Sequence, residues 1–270
     1  MTNKCYRYEK FLYKDSLFNK SIDATYIINL EDNGRLDYIM KQLIEYHPTN
    51  IVYIVFNKGY KKCIKADFII NPPYDLVDAN FNIFKHAKNN NYNNILILED
   101  DFIFDSEIKS DFHIDNINKF LNNKKETSFQ YYIGTIPGLI LPFNFYNYRL
   151  VKSHGTHCVI FSKKMREKIL IFKQKNITDW DDFTGKFTNY RYLYYKPLCY
   201  QLFTDTENSK YWGSNDKGIQ KIITDICNVF LTKIYNLLKL NKQVNPGYKF
   251  FYNFSKLLIL FILFILSNLL

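Results

Sequence analysis

The sequence contains few of the residues that form tight turns. It has 9 Gly and 7 Pro among 270 residues, and this scarcity argues against a small all-β fold that depends on many turns. Hydrophobic residues make up 47% of the chain and aromatic residues 18%, so intrinsic disorder is excluded. A chain of this length can bury a full core, as one large α/β domain or as a domain with an appendage.

Closely spaced cysteine pairs are missing as well. The cysteines are odd in number, widely separated and without a CxxC motif: Cys5, Cys63, Cys158, Cys199 and Cys227. This pattern predicts reduced thiols in a cytosolic compartment, and not a disulfide framework or a zinc site. The first residues carry charges every few positions and include no apolar run, so we expect no signal peptide.

The charge balance is strongly basic. A net charge of +10 favours anionic partners such as nucleotide phosphates, nucleic acid or an acidic membrane surface. A nucleic-acid-binding protein is one hypothesis, but the positive net charge is the only observation that supports it. No motif combines base-stacking aromatic residues with adjacent basic residues, and we therefore expect no nucleic-acid partner.

Buried strands alternate with amphipathic helices before residue 105. The predicted strands are Ala24–Leu30, residues 51–56, a short one at 67–70, and residues 95–98. Apolar residues at helical spacing predict a helix from residue 36 to 44 and another from Asp75, a possible N-cap, to about 90. This order predicts right-handed parallel crossovers. The fold class is therefore α/β, with a Rossmann-type, mostly parallel sheet flanked by helices.

The following region gives weaker signals. A helix is predicted at residues 115–121, strands at 129–133 and 158–161, and a loop between them at 134–138 that can approach a ligand closely. Ser162 begins a further predicted helix that runs to about residue 172.

Three carboxylates follow the strand at residues 95–98 directly. Glu99, Asp100 and Asp101 would lie at the carboxyl end of a buried strand, where open α/β sheets bind their ligands. Adjacent acids repel one another and lose hydration there, so they need compensating charge. A Mg²⁺ or Mn²⁺ ion that bridges to a diphosphate would supply it. The alternative is a polar strand end that simply faces water.

The C-terminal part differs in composition from the rest. Apolar residues at helical spacing predict an amphipathic helix within residues 216–244, and residues 250–270 are almost wholly apolar. We therefore divide the chain into three parts: the main domain at residues 1–215, the amphipathic helix at 216–244 and an apolar segment at 245–270. The apolar segment predicts association with a membrane. Packing of this segment on the domain, or in a dimer interface, is the alternative.

Five segments occur in an order that resembles glycosyltransferase family 25, the group of lipopolysaccharide-type and collagen galactosyltransferases. They are YIINLEDNGRLDYI at residues 26–39, ILILEDDFIF at 95–104, GTHCVIFSKKMREKIL at 155–170, DWDD at 179–182 and KPLCYQ at 196–201. The similarity spans residues 24–201. It implies a GT-A type fold, a nucleotide-sugar donor and, as is usual in the family, inverting transfer.

The resemblance also implies roles for individual residues. Asp101 would bind the metal ion, Mn²⁺ or Mg²⁺, while Glu99 would contact the ribose or a metal-bound water and Asp100 would support them. Asn29 would meet the base or ribose, although it fits a turn cap equally well. We expect donor contacts at Asn29, Arg35, Glu99, Asp100 and Gly155, and metal ligands at Glu99, Asp101 and His157.

The same family comparison suggests a catalytic base. Inverting transfer needs a carboxylate that deprotonates the acceptor hydroxyl, and Asp181 and Asp182 are the candidates, with Asp179 behind them. Acids at a helix start that complement its dipole are the alternative. For His157, and for the weaker candidate His154, a purely structural hydrogen bond is the alternative to a ligand role.

The resemblance implies a metal-dependent hexosyltransferase. It would move a sugar, with galactose favoured, from a UDP-sugar to a hydroxyl of a glycan, lipid-linked or protein acceptor. It would act at the cytoplasmic face of a membrane, or in the cytoplasm if the apolar segment is no anchor. The alternative is a catalytically silent, membrane-tethered binding module of the same fold, because Arg35 stands alone where the family has closely spaced arginines.

Overall fold

The computed structural model describes residues 5–202 and 244–269, and the single helical positions Val229, Lys233 and Leu237 between them. It is a mixed α/β structure in which helices flank a central sheet of seven strands. Apart from those three positions, the predicted helix at residues 216–244 lies outside the described residues.

The sheet has the strand order β1-β3-β2-β4-β7-β6-β8. Its strands are β1 (Tyr6–Leu12), β2 (Ala24–Leu30), β3 (Ile51–Asn57), β4 (Asn94–Glu99), β6 (Gln130–Asn144), β7 (Asn147–Ser162) and β8 (Arg191–Tyr194). A separate antiparallel pair consists of β5 (Phe102–Phe104) and β9 (Cys199–Gln201). The helices are α1 (Leu36–Tyr46), α2 (Pro72–Asn89), α3 (Asp111–Asn123), α4 (Lys163–Leu170), α5 (Trp180–Gly185) and α6 (Val244–Leu269).

The first part of the sheet follows the sequence prediction closely. Strand β2 pairs in parallel with both β3 and β4, as the alternation of strands and helices requires. The three strands are buried on both faces, which accounts for their continuous apolar sequences. Their carboxyl ends meet at one edge of the sheet, and Glu99 lies beside Ile28 there.

The prediction of a mostly parallel sheet is wrong, because four of the seven strand pairings are antiparallel. Strands β6 and β7 are 15 and 16 residues long, and a turn at residues 145–146 joins them into one hairpin. The predicted loop at 134–138 lies within β6. Pro137 and Pro142 argue against a strand in the sequence, because proline lacks a backbone N–H. Both lie next to register shifts in the β6–β7 pairing, where a missing N–H is tolerated.

Two further predictions fail near the sheet edge. The segment at residues 67–70 is not a strand, and α2 begins at Pro72 with Asn71 as its N-cap, not Asp75. The side chain of Asp75 is instead paired with the buried ammonium group of Lys65. Strand β1 was not predicted, because its charged residues interrupt the apolar pattern of a buried strand. It lies at the edge of the sheet, where exposed charged residues are common.

A disulfide joins Cys5 to Cys63, so the prediction of reduced thiols is wrong for this pair. The two residues are 58 positions apart in sequence with 5.6 Å between their Cα atoms. The bond ties the start of β1 to the segment after β3. Cys158 and Cys199 are unpaired and buried.

Helix α6 packs on the domain through one face. Tyr248, Tyr252, Ser255 and Ile259 are buried, and Ser255 Oγ donates to the carbonyl oxygen of Pro137 on β6 across 2.7 Å. Within residues 5–202 and 244–269, no helix is both long and apolar enough to cross a membrane.

Candidate functional site

The strand-end acids lie where β4 leaves the sheet. Glu99 is the last residue of β4, Asp100 and Asp101 form a turn, and β5 begins at Phe102. The turn brings both aspartates beneath the loop between β2 and α1. Asp101 is buried at 2% exposure, an unusual environment for a carboxylate unless it is paired.

Arg35, at the start of α1, forms ion pairs with both aspartates. Its guanidinium contacts Asp100 Oδ1 and lies 3.3 Å from Asp101 Oδ2. The side-chain amide of Asn33 also donates to Asp100. Arg35, which the sequence predicts as a donor contact, thus neutralises part of the acidic turn.

Gln201 joins two of the acids from another part of the chain. Its Nε2 lies 3.3 Å from Glu99 Oε2 and 3.3 Å from Asp101 Oδ2. Pairing of β5 with β9 sets Gln201 opposite Phe102, and the Leu202 amide donates to the Asp101 carbonyl across 2.8 Å. The position of Gln201 thus follows from the small antiparallel pair that begins directly after the acids.

Asp181 joins the same group from helix α5. One of its carboxylate oxygens accepts from Thr156 Oγ1 at 2.7 Å and the other from the Gly155 amide at 2.9 Å. Thr156 Oγ1 also lies 3.3 Å from Glu99 Oε1. A single hydroxyl therefore connects the end of β4 with the candidate base.

The neighbouring acids of α5 have a different role. Asp179 is the N-cap of the helix, and its Oδ1 accepts from the backbone N–H of Asp182 at 2.9 Å. The side chain of Asp182 is exposed. The helix-start interpretation therefore describes Asp179 and Asp182, whereas Asp181 is the one of the three that reaches Gly155 and Thr156.

Burial and mutual repulsion make these carboxyl groups weak acids. Burial, together with Asp101, Asp181 and Asp100, raises the pKa of Glu99 well above its usual value. Burial and Asp100 raise the pKa of Asp101 to about 7, although Arg35 opposes this shift. The pKa of Asp181 is also raised, mainly by burial. The site consequently favours protons or a cation near neutral pH.

A cleft of about 310 Å³ opens beside the acidic turn, at the ends of β2 and β3. It is lined by Arg7, Asn29, Glu31, Asp32, Asn33, Gly34, Leu36 and Phe56. The Arg7 guanidinium stacks on the Phe56 ring at 3.8 Å. Asn29 is 2% exposed, and its Oδ1 has no hydrogen-bond partner among the described residues. Buried polar atoms normally have partners, so this oxygen is available to a ligand.

His157 lies on β7 beneath α6. The ring is fully buried and meets the Tyr248 ring edge-on, with 5.5 Å between the centroids. Burial lowers its pKa to about 4, so the imidazole is neutral. Neither ring nitrogen has a hydrogen-bond partner in the part of the chain that the structure describes. His154 is exposed.

Glu99 and Asp101 are the residues that could hold a divalent metal with the help of a substrate. Across residues 5–202 and 244–269, no three His, Cys, Asp or Glu side chains form a ready metal cage. Mg²⁺ and Mn²⁺ sites in phosphate-handling proteins commonly use one or two carboxylates, and the phosphates supply further ligands. Glu99 and Asp101 converge on Gln201, and Asp101 Oδ1 is buried without a hydrogen-bond partner among the described residues.

Two polar residues of the site were not assigned roles from the sequence. Thr156 and Gln201 both lie in segments that carry the resemblance, GTH and KPLCYQ. Their types gave no signal, since threonine and glutamine occur widely on protein surfaces. What makes them part of the site is the pairing of β4 with β7 and of β5 with β9.

No protein-family model matches the chain, and no curated protein matches it. Among solved structures, the chain is similar to the crystal structure of A197 from STIV, with a TM-score of 0.44 and 10% sequence identity. The match covers 68% of this chain and 87% of that chain.

Proposed function

We propose that this protein is a glycosyltransferase. In this proposal it takes a hexose, with galactose favoured, from a UDP-sugar and transfers it with inversion to a hydroxyl of a glycan, lipid-linked or protein acceptor, as the resemblance to family 25 implies. Mn²⁺ or Mg²⁺ is the proposed cofactor.

One observation carries the proposal: three carboxylates from two distant segments, Glu99 and Asp101 in one and Asp181 in the other, meet at the end of β4. Gln201 joins Glu99 to Asp101, and Thr156 joins Glu99 to Asp181. Arg35 is the basic group that pairs with Asp100 and Asp101. Several acids in one buried position destabilise a fold unless a ligand compensates their charge. Groups with strongly shifted pKa values therefore cluster at functional sites.

The cleft beside the acids supports a nucleotide as the donor carrier. Asn29 Oδ1 accepts from a nucleoside N–H or O–H in this proposal, and the Phe56 ring with the Arg7 guanidinium above it forms a wall that is aromatic and positively charged. The diphosphate then lies toward Glu99 and Asp101. Glu99 and Asp101 would hold a divalent ion there, and its positive charge would stabilise the departing diphosphate.

Asp181 is the proposed general base. Burial raises the pKa of Asp181, and a raised pKa makes the carboxylate a stronger base. Two donors, the Gly155 amide and Thr156 Oγ1, fix the carboxylate in one orientation. Asp181 accepts the acceptor's proton as the hydroxyl oxygen attacks the anomeric carbon, and the nucleoside diphosphate leaves from the opposite side.

A catalytically silent binding module is the second candidate. Its support is that Arg35 already contacts Asp100 and Asp101, so part of the charge that would meet a diphosphate is directed at the protein's own acids. Such a module would bind a nucleotide sugar in the same cleft without cleaving it.

Donor hydrolysis and donor binding, measured together, distinguish the two candidates. A panel of nucleotide sugars is incubated with the full chain with and without Mn²⁺, and binding is followed by calorimetry. Mn²⁺-dependent hydrolysis of one donor, absent in Asp101→Asn, is the expected result. Binding without hydrolysis, in the presence of acceptor candidates too, would indicate the silent module. If no nucleotide sugar binds under either condition, both candidates are wrong.

A further inference from the structure

The tip of the β6–β7 hairpin exposes large apolar side chains. Phe145, in the turn, is 94% exposed, and Leu141 and Phe143 on β6 are 49% and 40% exposed. Tyr146 completes the tip and packs edge-on against Phe112 of α3, which is itself exposed. An exposed aromatic cluster of this size commonly marks a contact surface.

Helix α6 exposes a second apolar surface. Its buried face holds Tyr252 and Ile259, whereas the other face exposes large apolar side chains: Phe250, Phe254, Leu257, Leu260, Phe261 and Phe264. The helix is therefore apolar on both faces where the structure describes its side chains, and only one face is covered by the sheet.

The two surfaces adjoin each other. Lys256 of α6 lies over the Tyr148 and Tyr195 rings, at 5.8 Å and 5.6 Å, and Tyr195 contacts Tyr146 at the tip with 5.7 Å between centroids. Ile259 shares a buried cluster with Ile140 of β6. The helix thus runs toward the hairpin tip, and both apolar surfaces lie at this end of the sheet.

Basic side chains lie among these apolar groups. Lys124 and Arg149 lie over the Phe143 ring at 5.0 Å and 5.4 Å, and Lys256 stands between helix and hairpin. Aromatic and aliphatic side chains interspersed with lysine and arginine are the composition of surfaces that insert into the headgroup region of an acidic bilayer. The net charge of +10 acts in the same direction.

We propose that the hairpin tip and the exposed face of α6 form one surface that binds the interface of a membrane containing anionic lipids. The helix lies in the plane of the interface and does not span it. Phe145, Leu257 and Phe261 enter the boundary between headgroups and acyl chains, while Lys124, Arg149 and Lys256 contact lipid phosphates. This proposal does not depend on the glycosyltransferase assignment.

Vesicle flotation with the full chain tests the surface. We expect the wild type to float with vesicles of phosphatidylcholine and phosphatidylglycerol, and to bind less to phosphatidylcholine alone or at high salt, because salt screens the basic residues. Phe145→Ser should weaken binding about tenfold, the effect of losing most of one inserted phenyl group. Ile64→Ser is the matched control, since Ile64 is 99% exposed and lies outside the surface.

Phe145→Ser alters a turn residue that the fold does not bury, so a loss of binding cannot be ascribed to unfolding if the thermal transition is unchanged. Equal binding by Phe145→Ser, Leu257→Ser and the wild type would overturn the proposal. So would a wild type that does not bind the vesicles, or one that forms a dimer in light scattering that Phe145→Ser dissociates.

Discussion

Thr156 donates a hydrogen bond from Oγ1 to Oδ1 of Asp181 across 2.7 Å. This contact joins the long strand β7 to the short helix α5 and aims one acid of DWDD at the end of β4. The backbone contributes as well, because Gly155 donates its N–H to the same carboxylate and has φ +84, a conformation that favours glycine. The site is thus held partly by backbone geometry that only this residue type permits without strain.

Asp181 and Asp182 make a matched pair of variants. Asp181→Asn should lower the transfer rate by roughly 10²–10⁴-fold, the usual contribution of a general base, and leave donor binding intact. Asp182→Asn should be near normal, because that side chain is exposed. Single-turnover rates and calorimetry on both variants measure the two effects. Full activity in Asp181→Asn would show that the base lies elsewhere.

Asp101→Asn should abolish Mn²⁺-dependent donor binding. The variant keeps the size of the side chain and removes the charge that would hold a cation. We expect Mn²⁺ with UDP to raise the melting temperature of the wild type and not that of the variant, because a ligand stabilises only the state that binds it. Asp37→Asn, an exposed substitution on α1, is the control. An equal rise in Asp101→Asn would remove Asp101 from the metal site.

The site could be predicted from the sequence only as far as local patterns reach. The predicted buried strand at residues 95–98 and the three acids after it correctly indicated one side of the site. The DWDD segment, also singled out from the sequence, contains Asp181. Which acid of DWDD turns inward could not be predicted, because it depends on the contact of α5 with Thr156. Gln201 depends similarly on the pairing of β5 with β9, two strands of only three residues each, too short for a periodic signal.

The larger error in the fold has a similar origin. The glycines and the proline at residues 134–138 predicted a loop, yet β6 runs through this segment and forms one hairpin with β7. Irregular strands with register shifts do not keep the two-residue alternation that identifies a strand in sequence. Contact with neighbouring strands and with α6 decides the structure of this segment, and no window of local sequence contains that information.

In the absence of ligand, the free energy of unfolding should fall as pH rises from the ordinary pKa of an aspartate to the raised pKa of Asp101 in the folded protein. Its pKa is about 7 in the folded protein and 3.8 for an ordinary aspartate, so the folded state binds this proton more tightly. The resulting stabilisation is complete below pH about 4 and is lost as pH rises toward 7. Melting temperatures measured across this range should decline less in Asp101→Asn. Parallel profiles for variant and wild type would contradict the assigned pKa.

The Cys5–Cys63 disulfide should stabilise the edge of the sheet. It closes a loop with a sequence separation of 58, for which chain-entropy arguments give a stabilisation of about 4 kcal/mol. Denaturant unfolding with and without a reductant measures the difference. In Cys5→Ser this effect of the reductant should be lost, because the bond cannot form; Cys158 and Cys199, the other cysteines among the described residues, are unpaired. An unchanged unfolding midpoint in the reduced wild type would argue against a stabilising role for this bond.

Truncation within α6 should separate the part of the helix that supports the fold from the part that binds a surface. From the sequence alone, removal of residues 250–270 is expected to release a soluble, active domain. The structure predicts a different result, because this deletion removes Tyr252, Ser255 and Ile259, all buried against the sheet, and leaves the Pro137 carbonyl without its hydrogen bond from Ser255.

Loss of two large buried side chains commonly costs several kcal/mol, a large share of the stability of an ordinary domain. We therefore expect a chain ending at residue 249 to unfold or aggregate, and one ending at residue 260 to keep the wild-type thermal transition while binding vesicles more weakly. Melting curves and vesicle flotation on both truncated chains provide the measurement. If the chain ending at residue 249 melts like the wild type, the packing of α6 contributes little to the fold, and the apolar segment is better described as a tether.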